Sequence, residues 1–284
     1  MTVSEFEGRL RQFFDEIAVV QHYQRLSESV FKQTVKELIE KKNQLEQLDA
    51  ETKEIFETNL SVCSIHNPYT GIIQPYSVKK TSIAERLNQL HLFKNRQYQW
   101  LLAEAYELFE DFVLSIYDIA GNSDIKLRLA KDKANELGKK VLKKKVHQIM
   151  NHFRMELPEL KAIEHENMIQ KNLRLYISII EEFRHIVVHK NGRTENSELV
   201  IEKILKSSCL FSDKQRAPEA RSIVGSYIGT GDIDGLLVLV EKPIFEIGGF
   251  SMHVSRHEVL VNVLLSYALV LSQCLVSRCC VAET

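Results

Sequence analysis

ENMIQKNLRLYISIIEEFRHIVVHKNGR, residues 166–193, is the stretch on which the fold turns. Ile169, Leu173, Tyr176, Ile180, Phe183 and Val187 recur at alternating steps of four and three. That spacing predicts a helix over about 166–188 with one buried stripe. Asn191-Gly192 closes it, because these residues take the left-handed conformation that ends a helix. Upstream, Tyr98, Leu101, Ala105, Leu108, Phe112, Ile116 and Ile119 repeat the pattern and predict a helix at about 96–120, ended by Gly121-Asn122. A further helix is expected over about 125–153 and a short one near 197–207. Residues 208–232 read as loop. Leu236–Val240 and Ile244–Ile247 are short apolar runs, and Gly248-Gly249 before Phe250–Val254 suggests a small hairpin.

The two ends extend this helical reading. Phe6, Leu10, Phe13, Ile17 and Val20 form a heptad-like seam, whose phase shifts through Leu26, Val30 and Phe31. Leu38, Leu45, Leu48 and Ile55 follow, so residues 1–60 read as a helical, coiled-coil-like arm. Residues 61–82 contain HNPYTGIIQPYS, whose Pro and Gly predict a linker or docking loop. Val259 to Val276 has the length of a membrane span. Asn262, Ser266 and Gln273 nevertheless fall on one side of it, which predicts an amphipathic helix at 256–278, buried on most of its circumference, and no membrane partner. The expected architecture is mainly α: an arm at 1–60, a linker or docking segment at 61–95, and a helical bundle at 96–284 with a small β-hairpin before the last helix.

Composition agrees. Eleven Gly and five Pro in 284 residues are few, and 26% of residues are charged. Such a chain suits helices and is neither collagen-like nor disordered. The five cysteines form no Cys-x-x-Cys pair, which argues against a zinc ribbon. MTVSEFEGRL lacks the basic-then-apolar order of a signal peptide, so a reducing cytoplasm is the expected setting. The formal charge of −1 conceals unlike parts. Residues 1–60 carry eight Lys/Arg against twelve Asp/Glu, whereas 126–145 carry nine against two. The basic run, with Lys139, Lys140, Lys143 and Lys144 near one face, is a candidate phosphate track.

The chemistry concentrates at EEFRHIVVHKNGR, residues 181–193. Arg184 offers a two-pronged donor that fits a phosphate. His189 follows after four intervening residues and can carry a proton near neutral pH. Lys190 and Arg193 add positive charge. His185 and His189 have the i, i+4 spacing of a metal-binding pair. Ile186 stands where a His-Glu-x-x-His pattern needs Glu, and no third ligand is evident, although Glu164, His165 and Glu166 form a polar cluster. Neither a metal nor a cofactor is expected.

This segment resembles the signature of the HEPN superfamily (higher eukaryotes and prokaryotes nucleotide-binding): an Arg, four to six residues, then a His on the last turn of a helix. The residue after the Arg is typically small and polar or His, as His185 is. Residues 98–119 resemble the first helix of these domains, which often carries an acidic residue where Glu107 or Glu110 stands. The resemblance, over roughly 96–280, implies metal-independent cleavage of RNA at a site shared by two copies. Arg184 and His189 are then the catalytic pair, and His185 holds RNA or orients the partner histidine. Glu110 supports Arg184 or His189, and Lys190 and Arg193 join the basic run in binding RNA. It also implies a homodimer, a role as a toxin or antiviral-defence effector, and control by a regulatory protein, for which residues 1–60 are the expected contact. The alternative is a non-catalytic HEPN subunit that binds RNA, nucleotide or a partner. Some HEPN toxins are silenced through a Tyr two residues after the motif His; here that position is Asn191.

Overall fold

The computed structural model describes residues 2–122, 146–247 and 250–282, and every structural statement concerns those residues. The chain is mainly helical, in the order α1 (Thr2–Leu45), α2 (Ala50–Glu57), β1 (Asn59–His66), β2 (Ile73–Thr81), α3 (Ile83–Asn122), α4 (Val146–Glu156), α5 (Pro158–His165), α6 (Leu173–Lys190), α7 (Ser197–Ser207), α8 (Ala217–Gly225), β3 (Glu241–Ile247), β4 (Phe250–Ser255) and α9 (Arg256–Ala282). The long N-terminal helix and the hairpin before the C-terminal helix agree with the sequence reading. The strands form two separate antiparallel hairpins, β1–β2 and β3–β4. The basic run with Lys139, Lys140, Lys143 and Lys144 lies outside the described residues.

The division of the chain differs from the expected 1–60, 61–95 and 96–284. One compact unit comprises Met1–His22 and Tyr98–Thr284, and the other Tyr23–Gln97. The reason lies in the N-terminal seam. Phe6, Phe13, Ile17 and Val20 are buried in the same core as α3, α6 and α9, so residues 1–22 are part of that core. Phe13 lies 5.0 Å from Phe112 in a stacked pair, and Phe109 meets Tyr267 of α9 edge-on at 6.0 Å. Aromatic pairs of this kind add specific geometry to a large burial of area. On α9, Leu260, Leu264, Tyr267, Leu271 and Leu275 are fully buried, and the exposed positions Asn262 and Gln273 belong to the predicted polar stripe. The helix is long and apolar enough to cross a membrane, and just over half of that apolar window is packed inside the protein.

In the second unit, Leu38 and Leu45 of α1 pack with Ile83 of α3, while Leu26, Val30, Leu48 and Ile55 stay exposed. Gln97 donates to Ser27 at 2.6 Å, tying α3 to α1. Residues 61–82, expected to be a loop, are mostly the β1–β2 hairpin. The breakers have specific jobs there. The Asn67 side chain accepts the N–H of Tyr69 at 2.9 Å and Gly71 takes φ +70°, which builds the turn. Pro75 sits where the strand register shifts.

Three further expectations change. The helix expected from 166 begins at Leu173, so Ile169 is outside its stripe and half exposed. The Asn167 amide bonds the carbonyls of Ile163 and Lys171 at 2.8 and 2.7 Å, and Asn172 caps the helix by accepting from Leu175 at 2.9 Å. These side chains satisfy backbone groups that a longer helix would have used. Residues 208–232 contain α8, with Pro218 in its first turn and Ala220 and Val224 buried. Leu236–Val240 forms only isolated bridges, Leu236 to Arg193 and Leu237 to Ile228.

His257, in the first turn of α9, is fully buried against the Tyr98 ring at 5.2 Å, and neither ring nitrogen has a hydrogen-bond partner. Burial pushes its imidazole down to about 4. The unfolded chain binds this proton below pH ~6.5 and the folded chain only below about 4. Its stabilising contribution is therefore complete above pH ~6.5 and falls by about 3 kcal/mol as the pH drops towards 4. Urea melts across that range are expected to show the loss, and His257→Phe is expected to remove that part of it.

Candidate functional site

The end of α6 is fixed before any chemistry is considered. Asn191 adopts φ 54° and ψ 32°, and the N–H groups of Asn191 and Gly192 both reach the carbonyl of Ile186. This is the predicted Asn-Gly stop, realised as a left-handed cap. Gly192 has φ +72°, and a Cβ there would lie 2.1 Å from Gln99 Oε1. Gln99, fully buried on α3, donates to the carbonyls of Leu237 at 2.7 Å and Gly192 at 3.4 Å. Leu237 in turn donates its N–H to Gly192 at 2.9 Å, and Thr194 donates to Gly235 at 2.8 Å. The turn after the Arg–His motif is thus clamped between α3 and residues 235–237.

On this rigid end, the motif's polar side chains point outward while Phe183, Ile186 and Val187 stay in the core. His185, His189, Lys190 and Arg193 are exposed. The rings of His185 and His189 lie 4.8 Å apart at 51°. Burial lowers the His185 imidazole below its ordinary value; Lys203, His189 and Lys190 push the same way and Glu182 opposes them.

Arg184 projects towards α3, where Nη2 donates to Glu107 Oε1 at 3.2 Å. Its Nε is buried and finds no partner among the described residues. Glu107 is more than half exposed, so the pair adds little stability; its consequence is to hold the guanidinium in place. Glu110 is half-buried one turn further along α3, and burial raises its carboxyl although Arg184 opposes the shift. Of the two acidic positions noted in the sequence, Glu107 makes the direct contact and Glu110 acts on Arg184 through space.

The cleft beside His185 has no counterpart in the sequence reading. It measures about 510 Å³ and is lined by Tyr106, His147, Asn151, Glu181, His185 and Lys203, among others. Lys203 bonds Glu182 at 2.5 Å, and burial raises the Glu181 carboxyl, with His147 opposing. Four helices contribute to it, so no short motif could have marked it. Arg184 and His189 do not line it.

Glu164, noted in the sequence beside His165 and Glu166, serves a different purpose. It is fully buried, accepting from Arg154 Nε at 2.7 Å and from Tyr267 Oη at 2.5 Å. Burial first, and then the Glu164 carboxylate, hold the Tyr267 phenol protonated. Among the described residues, no three His, Cys, Asp or Glu side chains gather to hold a metal ion.

No family model, curated protein or solved structure matches the chain.

Two outcomes follow from this geometry. Gly192→Ala strains a left-handed backbone and displaces Gln99, and is expected to cost about 1–3 kcal/mol in urea unfolding. Arg154→Met strands the buried Glu164 charge and is expected to cost about 3–5 kcal/mol; the double substitution with Glu164→Met recovers most of it in the same assay.

Proposed function

We propose that the chain is a metal-independent endoribonuclease of HEPN type, acting on RNA through Arg184 and His189 at a site completed by a second copy. The observation that carries the reading is the joint placement of these residues. His189 sits exposed on the last turn of a clamped helix, and Arg184 is fixed to an acidic residue of α3, the helix whose sequence resembles the first HEPN helix.

The reaction this placement suits is attack of a ribose 2′-oxygen on the adjacent phosphorus. A base removes the 2′-hydroxyl proton and the new O–P bond forms. The bond to the 5′-oxygen breaks, and an acid protonates that oxygen. The products are a 2′,3′-cyclic phosphate and a 5′-hydroxyl. One imidazole fills one proton role at a time, so two His189 side chains across a two-fold axis supply base and acid together. Arg184 places a delocalised cation where the pentavalent phosphate gathers negative charge. His185, whose ring lies 4.8 Å from that of His189, orients it or receives a base of the RNA. Lys190 and Arg193 add phosphate contacts beside the motif. In this reading the protein is a toxin or antiviral effector of the cytoplasm, held in check by a partner.

The Arg184–Glu107 pair also favours a second reading, because a guanidinium already neutralised by a carboxylate is less available to a phosphate. That reading is a non-catalytic module that binds RNA or a protein without cutting.

The deciding experiment incubates the purified chain with RNA in EDTA and analyses the ends. Cyclic-phosphate ends are expected, with the rate falling at least ~100-fold in both Arg184→Ala and His189→Ala. Equal cleavage by the variants overturns the assignment. Binding without cleavage by the unaltered chain supports the second reading.

A further inference from the structure

The cleft beside His185 runs along the face of α6 that carries the motif. Ser178, Glu182, His185 and His189 follow one another at steps of four, three and four, which places them on one side of the helix. The first three line the cleft, and His189 stands about one turn, ~6 Å, beyond them. The two histidine rings lie 4.8 Å apart, so the cleft begins where the Arg–His motif ends. Its volume of about 510 Å³ falls within the ~300–1,000 Å³ range of small-ligand sites. Buried Met150, Ile177 and Ile204 supply apolar wall.

The polar groups of the cleft differ in what they already hold. Arg154 donates to Glu164 and to Asn151, at 2.7 and 2.9 Å. Glu182 is bonded to Lys203 at 2.5 Å. Glu181 is half-buried, lines the cleft, and makes no hydrogen bond or ion pair with any described residue. A carboxyl withdrawn from water without a partner is costly, and it points to a donor supplied from outside the chain. Lys203 acts on Glu181 through space, and its side chain is 60% exposed. An ammonium has three N–H donors, of which Glu182 takes one. The cleft therefore presents two free acceptor oxygens with a cationic donor near them.

We propose, resting on the reading of the chain as a protein that acts on RNA, that this cleft is a guanine-binding pocket, which takes the base of the nucleotide adjoining the phosphate at Arg184 and His189. The Watson–Crick edge of guanine carries two neighbouring donors, N1–H and the 2-amino group, followed by the O6 acceptor. The two donors pair with the two carboxylate oxygens of Glu181, and O6 accepts from Lys203. Adenine and cytosine set a ring-nitrogen lone pair beside their amino group. Uracil sets a carbonyl on each side of its one N–H. Each of these turns a lone pair towards the carboxylate, and that repulsion selects against it. A guanidinium or ammonium guest is repelled by Lys203. Single-stranded RNA supplies bases splayed out of the stack, which rest on aromatic or histidine rings and bond along the Watson–Crick edge. Exposed His185 offers such a ring in the wall of the cleft.

The test uses fluorescein-labelled pentanucleotides UUXUU with 2′-fluoro sugars, which lack the attacking oxygen. Anisotropy with the purified full chain at pH 8 is expected to show binding at least ~10-fold tighter when X is guanine than when it is adenine, cytosine or uracil. Glu181→Gln, close in shape but with one acceptor oxygen in place of two, is expected to abolish that preference. Because a variant can also disturb the fold, inosine at X tests the same contact from the ligand's side. Inosine keeps N1–H and O6 but lacks the 2-amino group, and is expected to lose most of guanine's advantage. Equal binding of the four bases, preference for another base, or no binding of any probe overturns the proposal. So does a guanine preference that survives Glu181→Gln, or inosine bound as tightly as guanine. The probes are not cleavable, so the two readings fail separately. A chain that selects guanine here yet leaves all-ribose strands intact overturns the nuclease reading alone, and one that cuts RNA but binds the four probes alike overturns the pocket alone.

Discussion

Phe109 of α3 is fully buried, with Phe13 of α1 on one side and Tyr267 of α9 on another. The rest of the larger unit depends on that three-way aromatic contact. It joins residues 13, 109 and 267, which are far apart along the chain, and it makes α3 the central element. Tyr117 of α3 meets Phe153 of α4 at 5.6 Å, and Phe183 of α6 meets Tyr227 at the same distance. Leaving such rings in contact with water would forfeit roughly 1.5–3 kcal/mol each, so the helices have little freedom to separate. The same helix carries Gln99, which clamps the turn after α6, and Glu107, which holds Arg184. Core packing and the candidate site are two sides of one helix.

That arrangement separates rigidity from chemistry. The inward side of α6 is aliphatic and aromatic, and its last turn ends in hydrogen bonds to Gln99 and Leu237. The outward side carries exposed His185 and His189, while half-buried Arg184 turns towards Glu107 of α3. The smaller unit has the opposite character, with a slight core and extensive apolar exposure.

The helices with long, regular apolar stripes were legible in the sequence. Phe183 and Val187 of α6, Phe112 and Ile116 of α3, and the polar stripe of α9 fall where the 3.6-residue period puts them. So did the Asn191-Gly192 stop. The nine-residue α8 was not, because two turns are too few for a period to show. The β1–β2 hairpin was hidden by its own turn residues: Pro75 reads as a breaker in sequence, and only strand pairing reveals that it occupies an irregularity in the register. The early start expected for α6 failed because Asn167 and Asn172 offer the backbone side-chain partners that periodicity does not register.

The sequence by itself determined the helical character, the Arg184–His189 spacing and the position of the motif at a helix end, because these depend on residues within a few turns of one another. The tertiary structure decided what lies across from them. It set Glu107 rather than Glu110 on Arg184, placed Gln99 against Gly192, buried Glu164 with Arg154 and Tyr267, and drew residues 1–22 into the main core. Apart from Arg154 and Glu164, which are 10 positions apart, the side-chain contacts join residues 77 to 103 positions apart, and local periodicity carries no information about which faces of distant helices meet.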